Sequence, residues 1–228
     1  MRGTAADALA SASQSRQRER VQLSPNDPEA ELGAALARLI PTGVQCGVRR
    51  LTDGEPLLFP SELETVAAAR PARIREYAAG RALLRELCGH NTAIPTGPDG
   101  APRMPAGWIC SLAHDNEFVI AVVTDDPAVA ALGLDLEPIA ALDQADVSII
   151  VRPDESLEPL LGLTIKEAVY KAWRASQTRM LEHHDVRVTA RGKHSFDAVV
   201  LPEGQRFAGS FGFAAGRWLS AVVAHRRV

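Results

Sequence analysis

Two short segments carry paired groups suited to handling phosphate. The first is ALGLDLEP (131–138), in which apolar residues alternate strictly with Gly133, Asp135 and Glu137. That period of two predicts a β-strand with Leu132, Leu134 and Leu136 on one face and Gly133, Asp135 and Glu137 on the other. Two carboxylates two residues apart on a strand sit about 7 Å from each other. At an effective dielectric of about 20 their repulsion is roughly 2 kcal/mol if the face is enclosed. A magnesium ion between them reverses the sign, because Mg²⁺ takes carboxylate oxygens together with water and substrate phosphate oxygens. A half-exposed strand with a solvated polar face is the plainer alternative.

The second segment is TIKEAVYKAW (164–173), within LLGLTIKEAVYKAWRAS (160–176), whose spacing predicts a helix. It holds two of the three lysines in a chain whose basic residues are otherwise arginine. Glu167 and Lys171 are four apart and share a helix face. As a surface ion pair they contribute only about 0.3–0.5 kcal/mol. That reading leaves the choice of lysine unexplained. A lysine is a compact point charge suited to a phosphate oxygen. A glutamate beside a metal completes its shell or acts as a general base. Asp135, Glu137 and Glu167 with Lys171 would therefore make a magnesium and polyphosphate site.

Ser111 and His114, in SLAHD, end a predicted strand. A Ser–His pair suggests a hydrolase, but no G-x-S-x-G elbow is present. A serine three residues from its base on one strand is also poorly placed for attack. Both side chains can instead donate hydrogen bonds to a phosphate or ribose, against the alternative of a loop serine and a satisfied histidine. His183 and His184 are adjacent and point apart, so they read as a loop or helix end.

The elements that must position these groups follow from periodicity and punctuation. PEAELGAALARLIP (28–41) has helical spacing and stops at Pro41. Residues 58–89 read as two helices divided by Pro71. Ser61 is the expected N-cap of the first, with Glu64 at the capping-box position, and Gly89 is the expected C-cap of the second. On that second helix Ile74, Tyr77, Ala78, Leu84 and Leu87 can share an apolar side, which leaves Arg73, Arg75 and Arg81 largely outside it. Residues 91–107 form a Gly/Pro-dense loop. WICSLAHDNEFVIAVV (108–123) predicts a hairpin turning at Asp115-Asn116. Residues 124–130 read as a hinge, 139–158 are weakly patterned, and the stretch from VRVTA to RWLSAVVAH predicts a terminal antiparallel sheet.

The 228 residues suffice for one large domain or two small lobes. A formal net charge of -3 argues against a general nucleic-acid binder. Three widely spaced cysteines, Cys46, Cys88 and Cys110, suggest a reducing, cytoplasmic compartment and offer no zinc-ligand spacing. No apolar run approaches the roughly 18 residues of a membrane span. Residues 1–24, rich in Ala, Ser and Arg and without an apolar h-region, read as a disordered tail rather than a secretory signal.

Taken together, REYAAGR (75–81), APRMPAGWICSLAH (101–114), GLDLEP (133–138) and KEAVYKAW (166–173) resemble, in order, the motifs of the Sfp-type, more closely EntD-like, 4'-phosphopantetheinyl transferases. The likeness runs from about residue 60 to the C-terminus. It implies an α+β fold of two pseudo-symmetric lobes, 25–126 and 127–228, with coenzyme A between them in a monomer. It implies transfer of phosphopantetheine from coenzyme A to a serine of an apo acyl or peptidyl carrier protein, leaving adenosine 3',5'-bisphosphate. By matching position, Asp135, Glu137 and Glu167 would hold Mg²⁺. Glu167 would also serve as base, directly or through water, and Lys171 would neutralise or protonate the leaving phosphate. Arg73 and Arg81 would grip the 3'-phosphate end of the coenzyme, Ser111 and His114 its phosphates, and Lys166 would touch it as well. The sequence departs from the family pattern at Met104, where a tryptophan is frequent, and at Cys110, where a glycine is common. It also lacks basic residues from Thr96 to Asp99. Two other readings compete: another Mg²⁺-dependent phosphohydrolase, and a non-catalytic coenzyme A-binding protein of the same fold.

Overall fold

A computed structural model of the chain describes residues 27–52, 54 and 57–226; the segment 1–24, expected to be a disordered tail, lies outside them. The first element is helix α1 (Pro28–Leu39), capped by Asp27, whose side chain accepts from the Glu29 amide. It buries Leu32, Ala35 and Leu36 and stops short of Pro41. Strand β1 (Gln45–Arg50) follows, then α2 (Pro60–Val66) and α3 (Pro71–Cys88). Gly89 closes α3 in the left-handed conformation, at φ 67°, as a C-cap without a Cβ can.

The start of α2 differs from the expected Ser61 cap. Pro60 lacks an N–H and has its φ fixed, so it takes the first helical position and makes Phe59 the cap residue. The capping carboxylate is consequently Glu62, not Glu64: Glu62 Oε2 accepts from the Phe59 amide at 2.9 Å.

Strands β2 (Ile109–His114) and β3 (Phe118–Thr124) form the expected hairpin. Asp115 Oδ1 accepts from the Glu117 and Phe118 amides and so builds the turn. β3 pairs antiparallel with β1 on one side and β2 on the other, giving a three-stranded sheet ordered β1-β3-β2. Every residue of β3 is buried. Val119, Ala121 and Val123 face α3, packing with Ala79, Leu83 and Leu84. Phe118, Ile120 and Val122 face the other way.

The chain changes sheet between Thr124 and Val129. This turn is tied rather than open. Thr124 Oγ1 donates to Gly43 O, the Asp126 amide donates to Thr124 Oγ1, and the Ala128 amide donates to Asp126 Oδ1. Strand β4 (Val129–Pro138) then opens the second sheet. A short helix α4 (Gln144–Ile150), capped by Asp143, lies in the weakly patterned region. It is followed by α5 (Pro159–Arg174) and a 3-10 turn at His183–Asp185. Strands β5 (Val186–Arg191), β6 (Ser195–Val200), β7 (Gln205–Ala214) and β8 (Arg217–His225) complete an antiparallel sheet ordered β4-β8-β7-β6-β5.

The two sheets meet through a common core. Leu132, Leu134 and Leu136 of β4 pack with Phe118, Ile120 and Val122 of β3 and with Leu32 and Leu36 of α1. The opposite side of the second sheet carries α5, whose Ile165, Ala168, Val169 and Trp173 pack with Val186, Phe196 and Val222. The class is α+β, with helices covering antiparallel sheets. Among the described residues no helix is long and apolar enough to cross a membrane.

Candidate active site

The face of β4 that carries Gly133, Asp135 and Glu137 is turned towards α5. Gly133 makes the approach possible: a Cβ there would lie 1.9 Å from the Ala168 carbonyl oxygen. Because α5 crosses so close, Lys171 reaches β4. Its Nζ donates to Asp135 Oδ1 at 2.7 Å and to Leu134 O at 2.8 Å. The surface pair that i,i+4 spacing allows between Glu167 and Lys171 is thereby replaced by a pair across two elements.

Asp135 is buried, and its second oxygen, Oδ2, has no hydrogen-bond partner. Burial pushes its carboxyl above the usual range, against the pull of Lys171. Glu137 is pushed up to about 7, first by burial and next by the neighbouring Asp135 charge. Glu167 is held below its ordinary value, chiefly by His183, whose Nε2 lies 3.4 Å from Glu167 Oε1. The strand's polar face is therefore enclosed rather than solvated, and it concentrates negative charge.

These three carboxylates match the donor chemistry of a hard divalent cation. The unpartnered Asp135 Oδ2 and the mutual repulsion that raises Glu137 are what such an ion relieves. Among the described residues no three potential ligands are yet drawn together around one point. Lys171 occupies Asp135 Oδ1 and His183 faces Glu167 Oε1, which leaves Asp135 Oδ2 as the unpartnered oxygen.

On the far side of Lys171 a cavity of about 530 Å³ opens, lined by Arg73, Arg81, Ser111, His114 and Lys171 among others. Arg73 Nη1 donates to His114 Nε2 at 2.8 Å and to Glu76 Oε2 at 3.2 Å. An acceptor Nε2 means the His114 proton sits on Nδ1, facing Glu76 Oε2 at 3.6 Å. Burial, ahead of the opposing pull of Glu76, holds His114 below the ordinary imidazole range.

Arg81 is buried, contrary to the expectation that it lies outside the apolar side of its helix. The reason is local: its guanidinium stacks on the Tyr77 ring at 4.2 Å, one turn back, and its Nη2 donates to Thr96 Oγ1 at 3.1 Å. Its Nε is buried with no partner, and burial lowers its pKa. Ser111 is also buried. Its hydroxyl accepts from the Leu134 amide at 3.0 Å, which stitches β2 to β4.

Lys166 stands apart, and here the expectation of coenzyme contact is corrected. It lies on a different face of α5 from Lys171, buried, with Nζ donating to Ile150 O at 2.6 Å and Glu155 Oε2 at 2.7 Å. It does not line the cavity. Its work is to fasten α4 and the following loop onto α5.

The sequence reading missed Tyr77, Thr96, Tyr170 and Arg174 as lining residues and His183 as the partner of Glu167. Helical spacing carried a signal for some: Tyr77 falls four residues after Arg73 and four before Arg81, and Arg174 three after Lys171. For His183 there was none, since its contact depends on how the 3-10 turn folds back on α5.

Comparison with known proteins finds relatives of one kind. The family model for the 4'-phosphopantetheinyl transferase N-terminal domain matches residues 61–124, from α2 to the end of β3. The chain is 34% identical over 140 residues to 4'-phosphopantetheinyl transferase Svp of Streptomyces mobaraensis, covering 53% of this chain and 56% of that protein. It is 27% identical over 208 residues to 4'-phosphopantetheinyl transferase Npt of Nocardia iowensis, covering 80% of this chain and 93% of the relative. A third relative, 4'-phosphopantetheinyl transferase PptT of Mycobacterium tuberculosis, is 29% identical over 154 residues, covering 63% and 66%. The chain thus spans about half the length of the Streptomyces protein and nearly all of the Nocardia one. The chain is thus similar to 4'-phosphopantetheinyl transferases, and residues 61–124 match the N-terminal domain of that family.

Proposed function

We propose that this protein is a Mg²⁺-dependent, Sfp-type 4'-phosphopantetheinyl transferase that acts as a monomer. It moves the phosphopantetheine arm of coenzyme A to a serine of an apo acyl or peptidyl carrier protein. The observation that carries the reading is Lys171, which lines an arginine-bearing cavity and at the same time pairs with the buried Asp135. Such a site suits a polyanion that must be gripped at one end and attacked at the other.

The chemistry is a displacement at the phosphorus of the coenzyme's pyrophosphate. A bond forms from the carrier serine oxygen to that phosphorus, and the bond to the adenosine 3',5'-bisphosphate oxygen breaks. Positioning and charge neutralisation dominate such reactions. Arg73 and Arg81 bind the phosphate groups at the nucleotide end, because a guanidinium offers a fork to two oxygens. His114, with its proton on Nδ1, and Ser111 line the path between. Lys171 neutralises the charge that grows on the leaving phosphate. Glu167, held below the usual range and so ionised at neutral pH, takes the proton of the serine hydroxyl. Asp135, Glu137 and Glu167 would hold Mg²⁺, which supplies Lewis-acid neutralisation of the pyrophosphate.

The test is substitution at the carboxylates. Asp135→Ala and Glu167→Ala should abolish transfer while coenzyme A binding, measured by calorimetry, largely survives. Full transfer activity in both variants would show that the chemistry lies elsewhere.

A further inference from the structure

Glu62 is completely buried yet takes no part in the reaction proposed above. Its Oε1 accepts from Arg85 Nη1 at 2.6 Å and from the Ile94 amide at 2.7 Å, and its Oε2 accepts from the Phe59 amide. One carboxylate therefore ties together the start of α2, the last turns of α3 and the entry to the 91–107 loop. Ile94 is itself fully buried in the core that includes Ala79, Leu83 and Leu84.

Immediately after Ile94 the chain folds into a small hairpin. The Arg103 amide donates to Pro95 O, the Gly97 amide donates to Ala101 O, and Thr96 bridges to Pro102. This hairpin is one wall of the cavity. Thr96 Oγ1 meets Tyr77 Oη at 3.0 Å and Arg81 Nη2 at 3.1 Å. So the base of the hairpin is held by Glu62, and its middle is held against the one fully enclosed cation of the cavity among the described residues.

Resting on the reading of the cavity as the coenzyme A site, we infer that Glu62 is a positioning residue for coenzyme A. It fixes the 94–103 hairpin and, through Thr96, the orientation of the Arg81 guanidinium. A buried amide that loses its acceptor must find another, because an unsatisfied buried donor is expensive. Without Glu62 the Ile94 amide has that need, and the wall it anchors shifts. Thr96 then no longer holds Arg81 on the Tyr77 ring.

The test uses the full chain and three variants: E62A, E62Q and the double variant E62A/R85M. Coenzyme A affinity by calorimetry, kcat, KM for coenzyme A, KM for the carrier and the unfolding midpoint are measured for each. E62A should raise KM for coenzyme A about tenfold, the equivalent of 1.4 kcal/mol, with kcat and the carrier KM nearly unchanged. E62Q keeps one oxygen that can serve both Arg85 and Ile94, so it should recover most of the affinity. E62A leaves a cation unpaired in the core; the double variant removes that charge and so carries the test if E62A does not fold. It should show the same rise in KM. An unchanged KM for coenzyme A in folded E62A or in the double variant overturns the inference. A loss of stability with no change in KM does so too, since it assigns Glu62 a structural role alone. A wild-type protein that neither binds coenzyme A nor modifies a carrier defeats the functional reading itself, and with it this inference.

Discussion

Gly133→Ala adds a single methyl group at the contact that builds the site. The new Cβ would lie 1.9 Å from Ala168 O, 2.9 Å from Ala168 C and 3.1 Å from Ala172 N. All three are backbone atoms of α5, so no rotamer change absorbs the clash. Gly133 is not among the glycines with positive φ, and the effect is therefore one of volume, not of backbone strain. Restoring ordinary contact distances of about 3.5 Å moves α5 away from β4 by more than ~1 Å. Overpacking of side chains typically costs about 1–3 kcal/mol; with backbone on both sides the expected loss is at least about 3 kcal/mol. The same shift stretches the 2.7 Å contact of Lys171 with Asp135. Misplacing reacting groups by about 1 Å costs roughly a hundredfold in rate. Urea unfolding and the rate of carrier modification measure the two effects. Unfolding at the wild-type midpoint together with a wild-type rate would refute the argument that this glycine sets the spacing of strand and helix.

Three further outcomes are expected. Lys166→Met removes one partner of an ion pair whose side chains are both 1% exposed, which should cost about 3–5 kcal/mol in urea unfolding. It should leave KM for coenzyme A where it was. His114 is held below the ordinary imidazole value of about 6.5 by burial, among Glu76, Arg73, Lys171 and Asp115. Between its folded pKa and that value the unfolded chain binds the extra proton. The stability the neutral ring confers is therefore whole above about pH 6.5 and is lost as pH falls through that window. His114→Gln should flatten the slope of unfolding free energy over the same range. Burial pushes the Cys110 thiol up to about 12 and the Cys88 thiol up to about 11. Both should resist iodoacetamide in the native protein at pH 8 and react in denaturant, as read by intact mass.

Much of the scaffold was legible because it obeys simple periods. The alternation in 131–138 placed Asp135 and Glu137 on one face of β4, and the Asp115-Asn116 turn placed the β2–β3 hairpin. Gly89 marked the end of α3. What could not be seen was set by contacts distant in sequence. Lys171 faces Asp135, not Glu167, because α5 crosses β4 at Gly133. Ser111 serves the Leu134 amide, and nothing in SLAHD names that partner. Arg81 is buried by stacking on Tyr77, which a polar-out reading of the helix excludes. The Ser61 cap failed for a local reason: Pro60 outranks a serine as the first marker of the helix. The separate place of Lys166 was legible in helical geometry. Five residues before Lys171 on a helix, it is turned well away from that side chain.

The most direct test of the central claim is intact-mass spectrometry of an apo carrier protein incubated with this protein, coenzyme A and Mg²⁺. The account predicts a mass gain equal to one phosphopantetheine arm, abolished by EDTA and by loss of the carrier serine. An unchanged carrier mass across acyl and peptidyl carriers, with coenzyme A failing to bind, would contradict it.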